Sequence, residues 1–459
     1  MKRLISAPTA VNLELTELCN VKCRHCYNFW RDESMGGVSL DKQKIDGLVR
    51  SFTEAGVFHV IVTGGEPMAK FDMLEYTLSE LTKNNISISC NSNLTLADDE
   101  KCKRLAAAGL DHILTSMPSC DGATTDYIMH QVGAFENIMS GMRAAVRNGI
   151  RVSANMVITR SNMHQVYETA RLVAETGGQK LFVTRAVPPT YGNEEDIKNC
   201  ILTPEETKAT LDEAIRARDD FGIMIGTLVS YPLCFLSDLE RYADFVGRGC
   251  PAQAGNVIGV NANGDTHACV HEEESYGNII TQPIKEVFQS ANMRRWHDGS
   301  YHFSGCDGCG YVDVCDSGCA MTAVSTDGEH GGQDPLFVGP KAFTKHYKVI
   351  QDPKLVEAIT AGARFVAPKR LRFRKEDNFH LLNVRWANSF PVADEIAEIL
   401  MRYRDSGETF TIADFGVGRE ELLAALYFKD AVESPDYHVA DKRQFAGLSF
   451  NIDAVSQFA

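Results

Sequence analysis

From residue 57 to residue 184, short apolar runs alternate with amphipathic stretches, a rhythm that few folds can satisfy. Residues 57–62, 86–90, 112–116, 152–157 and 180–184 read as strands, while 136–148 and 164–176 carry apolar residues at helical spacing. Repeated strand–helix units predict an α/β fold, a parallel sheet with helices outside it, open or barrel-like. In such folds the chemistry gathers at the C-terminal ends of the strands. The first run ends in Thr63-Gly64-Gly65-Glu66-Pro67, the second in Asn91-Ser92-Asn93, and the third in Ser116.

The chain has 459 residues, which at about 150 residues per domain predicts about three domains. Its 61 Asp and Glu against 46 Lys and Arg give a net charge of −15. That balance disfavours nucleic acid, whose counterions must be displaced by Lys and Arg. No run reaches the ~18 apolar residues of a membrane-spanning helix, so no membrane partner is expected. The basic start Met1-Lys2-Arg3 is followed by too short an apolar stretch for a signal peptide, which predicts a cytoplasmic protein. In that compartment the 14 cysteines stay reduced, and clusters of them point to metal or catalysis rather than disulfides.

The first cluster is Cys19-Asn20-Val21-Lys22-Cys23-Arg24-His25-Cys26-Tyr27. Zinc in a structural site takes four protein ligands, and iron–sulfur clusters usually take four thiolates. Three thiolates and a vacancy suggest a cluster with one open iron; a zinc knuckle or three incidental thiols are the alternatives. This Cys-x3-Cys-x2-Cys spacing, followed by an aromatic and placed after a first strand, resembles the signature of radical S-adenosylmethionine (SAM) enzymes. The resemblance implies a 4Fe–4S cluster on Cys19, Cys23 and Cys26 whose open iron chelates SAM. It also implies electron transfer that cleaves SAM to a 5′-deoxyadenosyl radical. Gly64, Gly65, Glu66 and Pro67 match the family's second motif, about 40 residues further on, where a strand end meets the SAM amino group. Paired glycines let backbone approach a ligand, and Glu66 can accept from an ammonium. Ser92, Asn93 and Ser116 stand where the family often binds the SAM carboxylate and ribose. Helix capping explains polar residues there equally well.

Between residues 247 and 332, Gly, Cys, Asn and Asp become dense and periodicity fades. Such a stretch buries few apolar groups and needs a staple. Cys306, Cys309, Cys315 and Cys319 follow the spacing Cys-x2-Cys-x5-Cys-x3-Cys, with Cys250 and Gly264-x4-Cys269 upstream. The spacing alone does not choose iron over zinc, and a pair of zinc sites is the alternative. With Tyr276-Gly277-Asn278-Ile279, the pattern resembles the SPASM extension, which carries auxiliary iron–sulfur clusters. The resemblance implies one or two of them: Cys250, Cys269 and Cys319 on the first, Cys306, Cys309 and Cys315 on the second. The family's closing cysteine follows an Asp-Pro-rich stretch, and here Phe337 stands at its place after Asp334-Pro335-Leu336. The second cluster is then expected to use a non-cysteine ligand, keep an open iron, or be smaller, with Asp334 and His330 as nearby candidates. The first lacks a fourth ligand between Cys250 and Gly264. Cys234 is positioned to supply it; a buried structural cysteine or an open site for substrate are the other readings. Cys90, Cys102, Cys120 and Cys200 have no motif partner.

After residue 343 there are no cysteines. Residues 370–374 and 379–384 flank a turn and read as a hairpin, helical patterns follow at 392–403 and 419–428, and a short helix starts at Thr411. This arrangement resembles the PqqD-like peptide-recognition element, a small winged helix-turn-helix. The element binds the leader of a ribosomally made precursor peptide as an added strand. Leu371, Phe373, Leu381 and Leu382 suit such a groove and suit a core equally.

Together the resemblances imply three parts: a radical SAM domain at 1–232 with a partial (β/α)6 TIM-like barrel, a SPASM auxiliary-cluster domain at 233–340, and a C-terminal peptide-recognition domain and tail at 341–459. The enzyme they imply is a peptide maturase that cross-links a precursor peptide, served by an electron donor such as flavodoxin or ferredoxin. The same chemistry on a protein side chain, as in sulfatase maturation, or on a small molecule is a second reading. A metal-binding winged-helix regulator is a third. No residue stands out as a catalytic base.

Overall fold

A computed structural model describes residues 5–28, 37–189, 193–247, 249–342 and 352–439. The chain divides into two compact units, residues 1–343 and 344–459. In the first unit, β1 (Ala10–Thr16), β2 (His59–Gly64), β3 (Ser87–Ser92), β4 (His112–Ser116), β5 (Arg151–Ile158) and β6 (Lys180–Arg185) lie side by side in chain order, every neighbour parallel. Each strand begins and ends within two residues of its sequence reading where one was made. β7 (Met224–Gly226) continues the sheet beyond β6.

The helices between strands form for local reasons. Helix Lys42–Ala55 starts where the Asp41 side chain accepts from the Lys44 N–H and stops at Gly56, whose φ is +69°. Its buried residues Ile45, Leu48, Val49, Phe52 and Ala55 recur at helical spacing. Each large apolar side chain covered this way contributes about 1.5–3 kcal/mol.

Successive residues of a strand face opposite sides, and the two faces of this sheet differ. Val11, Leu13, Val60, Val62, Ile88, Ile113, Val152, Ala154, Leu181 and Val183 are almost fully buried. The interstrand register aligns Asn12, Ile61 and Ser89 on the other face, and likewise Asn91, Leu114 and Ser153, then Ser116, Asn155 and Phe182. Most of these are only half-buried. A closed barrel of this class packs its interior with branched apolar side chains. Here the inner face is mainly polar and partly accessible, as an open, partial barrel with room for a ligand requires.

The loop-rich stretch after residue 231 does not stand apart from this sheet. β8 (Val257–Val260) pairs parallel with β1, and β9 (Thr266–His267) pairs antiparallel with β8, so the sheet runs β7-β6-β5-β4-β3-β2-β1-β8-β9.

The second unit, taken by itself, is an antiparallel sheet of β10 (Arg372–Lys375), β11 (His380–Arg385) and β12 (Asn388–Val392). Helices Pro353–Thr360, Asp394–Ser406, Ile412–Phe415 and Glu420–Phe428 accompany it. The sequence reading anticipated the first hairpin and the later helices and missed β12. Pro391 disguises that strand, because proline cannot donate to a ladder; it is tolerated here on an edge. Leu371 and Leu382 belong to the core with Phe365, Ile396, Leu400 and Phe410, Phe373 packs against it, and Leu381 is also buried. These four side chains therefore serve as packing. The part of the polar tail from residue 440 onward lies outside the described residues. Among the described residues, no helix is long and apolar enough to cross a membrane.

Candidate active site and cluster sites

The cysteine loop leaves β1 and is stitched to the end of β2. Gly65 N–H donates to the Thr16 carbonyl (2.7 Å), and Glu66 N–H to that of Leu18 (2.8 Å). A Cβ on Gly65 would collide with the Leu18 carbonyl, and Gly64 sits at φ +121°. The glycine pair thus lets one loop cross another. Further on, Lys22 and Arg24 donate backbone N–H groups to Met129 and Ile128, and the Arg24 guanidinium lies 4.3 Å over the Tyr127 ring. Cys19 is exposed, and Cys23 and Cys26 are partly buried, on a loop held from both sides.

Glu66, Ser92 and Asn93 are brought together. The buried Glu66 carboxylate accepts from Met68 N–H (2.9 Å), Ser92 Oγ (2.7 Å) and Asn93 N–H (2.7 Å). Burial pushes its carboxyl up, and these three donors oppose the shift. Asn93 also donates to Asn20 Oδ1 (3.0 Å), and Asn20 donates to Thr95 Oγ1 (2.7 Å). Asn20 and Thr95 were not anticipated; their spacing carries no motif. The web ties the cysteine loop to the ends of β2 and β3. The Glu66 oxygens serve three donors of the chain itself, which leaves about one of a carboxylate's acceptor sites for a further donor. Pro67 opens a short 3-10 helix behind it, capped by Glu66. Ser116 closes β4 directly opposite Asn155 of β5. Asn155 Oδ1 is buried with no hydrogen-bond partner among the described residues. An orphaned acceptor beside the end of β4 suits a polar ligand such as a ribose.

Tyr27 and His271 link this corner to the extension. Their ring centroids are 4.1 Å apart, and His271 Nδ1 lies 3.5 Å from Cys269 Sγ. Burial, followed by the charges of Glu14, Cys26 and Cys269, pushes the Tyr27 hydroxyl far up.

The extension's cysteines form two groups. Cys250, Cys269 and Cys319 lie within electrostatic reach of one another; burial first, then Cys319, pushes Cys250 up to about 12. The second group is Cys306, Cys309, Cys315 and Cys234, which line one cavity together with Phe337. Burial pushes Cys315 up to about 12, with Cys234 and Cys306 adding to it. The expectation that Cys234 serves the first group is thereby corrected, since the fold carries it to the second. Buried thiols that resist ionising lose that resistance beside a metal cation, so both groups fit iron. Among the described residues, no three His, Cys, Asp or Glu side chains close around a single metal ion. Thiol groups of this composition suit a polynuclear iron–sulfur cluster.

Asp334 is not available as a ligand. Its buried carboxylate makes a two-pronged pair with Arg185 of β6 (2.8 and 2.9 Å) and accepts from the N–H groups of Cys319 and Leu336. Every lone pair directed at the chain is taken by a neighbour whose own burial demands it. His330 stacks on Tyr301 (4.4 Å) and faces Glu272 at 3.3 Å, so it too has another place. Cys90, Cys102 and Cys200 are buried; Cys200 lines a separate cavity with Ile158, Arg185, Tyr231 and Leu336, and Cys120 N–H bonds Thr169.

The radical SAM superfamily profile matches residues 13–173, and the iron–sulfur cluster-binding SPASM profile matches residues 250–310. The chain carries a radical SAM domain and is an enzyme. A 4Fe–4S cluster with SAM and a SPASM auxiliary-cluster domain belong to it. AdoMet-dependent heme synthase of Nitratidesulfovibrio vulgaris is 26% identical over 70% of this chain and 90% of that protein. Mycofactocin maturase MftC of Mycolicibacterium smegmatis is 24% identical over 73% and 83%. Among solved structures, Streptococcus suis SuiB bound to precursor peptide SuiA has the same fold (TM-score 0.56, 16% identity, 72% of this chain and 75% of that one). Native anSMEcpe with bound AdoMet and the Cp18Cys peptide also shares it (TM-score 0.55, 17% identity, 72% and 93%).

Proposed function

We propose that this radical SAM enzyme matures a ribosomally made precursor peptide, forming an intramolecular cross-link. The observation that carries the reading is the second unit. It lies beyond both family profiles, and β10 presents an outer edge that no strand pairs among the described residues. An unpaired edge accepts an extended peptide through backbone hydrogen bonds. Its three-stranded sheet and helices suit a PqqD-like winged helix-turn-helix. Similarity to a mycofactocin maturase and to the fold of a peptide-bound structure supports the same direction.

In this reading Cys19, Cys23 and Cys26 hold the 4Fe–4S cluster, and Gly64–Pro67, Ser92, Asn93 and Ser116 shape the SAM corner. The bound cluster and SAM supply the hydrogen-abstracting radical, with electrons from a flavodoxin- or ferredoxin-like donor. The chain's part is to hold the cysteine loop through the Glu66–Ser92–Asn93–Asn20 web. It also presents the polar inner face of the sheet to cofactor and substrate and buries the auxiliary thiols. The heme synthase similarity favours a second reading, the same chemistry on a small molecule.

Two experiments test the proposal. Anaerobic reaction with SAM and dithionite is expected to yield 5′-deoxyadenosine, and Cys23→Ala is expected to abolish it; undiminished cleavage by the variant overturns the site. Mass spectrometry of a co-expressed precursor peptide is expected to show loss of two hydrogens, with leader affinity falling when residues after 343 are removed. Equal affinity without them removes the recognition role and leaves the small-molecule reading.

A further inference from the structure

We infer that Cys234 closes the second auxiliary centre as its fourth thiolate, in the position that Phe337 vacates, and that the first centre is left with three cysteine ligands. The inference rests on the auxiliary-cluster reading of the extension and adds to it the membership of each centre.

The segment that carries Cys234 is pinned where it stands. Tyr231 hydroxyl donates to the Val183 carbonyl (3.3 Å) and Ser230 Oγ to that of Gly249 (3.0 Å). Leu233 N–H then donates to Cys315 Sγ (3.4 Å), which draws the segment onto the cysteine-rich loop. Cys234 Sγ in turn accepts from Val338 N–H (3.4 Å), the residue next to Phe337. A thiol from far upstream thus reaches the stretch where a cysteine is missing, while the Phe337 ring turns aside to meet Phe303 edge-on at 5.1 Å. Cys309 Sγ accepts from Lys341 N–H (3.4 Å). Three of the four sulfurs on the cavity wall therefore receive backbone N–H groups, the pattern that stabilises cluster-bound thiolates and sets their potential. The other unassigned cysteines have different surroundings. Cys90 lies near Glu66, Cys102 near Asp98, Cys200 near Asp196, and Cys120 bonds Thr169.

Membership can be read by counting iron. Full-length protein with Cys19, Cys23 and Cys26 all changed to Ala, reconstituted anaerobically, retains only auxiliary iron; no iron or sulfide there sinks the auxiliary-cluster reading itself. In that background Cys234→Ala is expected to lower the iron count while the EPR signal of the other centre persists, which also reports an intact fold. Adding Cys234→Ala to Cys306→Ala is expected to remove no further iron, whereas adding it to Cys250→Ala removes the second centre as well. Additivity with Cys306→Ala but not with Cys250→Ala reverses the assignment. An iron count indifferent to Cys234→Ala removes it.

Discussion

The two sets of cysteines in the first unit are assembled by different means. The Cys19–Cys23–Cys26 loop draws its three thiols from one short segment, and backbone bonds to the end of β2 set its course. The extension gathers thiols across a long stretch of chain: Cys234 with Cys306, Cys309 and Cys315, and Cys250 with Cys269 and Cys319. One site is made by spacing, the other by tertiary structure. The first should fail when its crossing loops are disturbed, and the second when a distant clamp is cut.

Cutting the clamp carries the largest expected effect on stability. Asp334→Asn leaves the Arg185 guanidinium buried without its counter-ion, a loss of about 3–5 kcal/mol in urea unfolding. Cys319 N–H weakens its tie to the same carboxylate, so auxiliary iron should fall further than radical-site iron. Equal loss from both would erase the distinction between the sites. Gly65→Ala is the converse. Its methyl meets backbone at Leu18, costs about 1–3 kcal/mol, and should reduce iron on the cysteine loop while sparing the extension. Asn155→Ala is the mildest. Its acceptor has no partner among the described residues, so stability should stay within ~0.5 kcal/mol, while SAM affinity measured by titration weakens. A variant that binds SAM as the parent does would sever Asn155 from the cofactor corner.

How much of this was legible in sequence follows the same division. Strands β2 to β6 showed themselves because parallel, buried strands are short apolar runs between helices. Motif spacing exposed the cysteine loop and six thiols of the extension. Three features escaped. Cys234 carries no local pattern, since its partners are set by how the 231–236 segment folds back. Asp334 looked like a ligand because an isolated carboxylate near cysteines does; only the fold reveals Arg185 opposite it. Glu66 showed itself as an acceptor, but its bonds to Met68, Ser92 and Asn93 did not. A sequence reports which groups are present, whereas the hydrogen bonds they make decide which are left for a ligand.

The place of β1 has a consequence for how the protein is made. β1 sits between β2 and β8, yet β8 begins at Val257. A ribosome that has released β1 must add more than two hundred further residues before its second edge can be covered. Until then β1 is the end strand of the nascent sheet and exposes an unpaired edge, the kind of surface that invites mispairing and chaperone binding. Chains truncated before residue 257 should accumulate as insoluble or chaperone-bound species, whereas those ending after Val260 can bury both edges of β1.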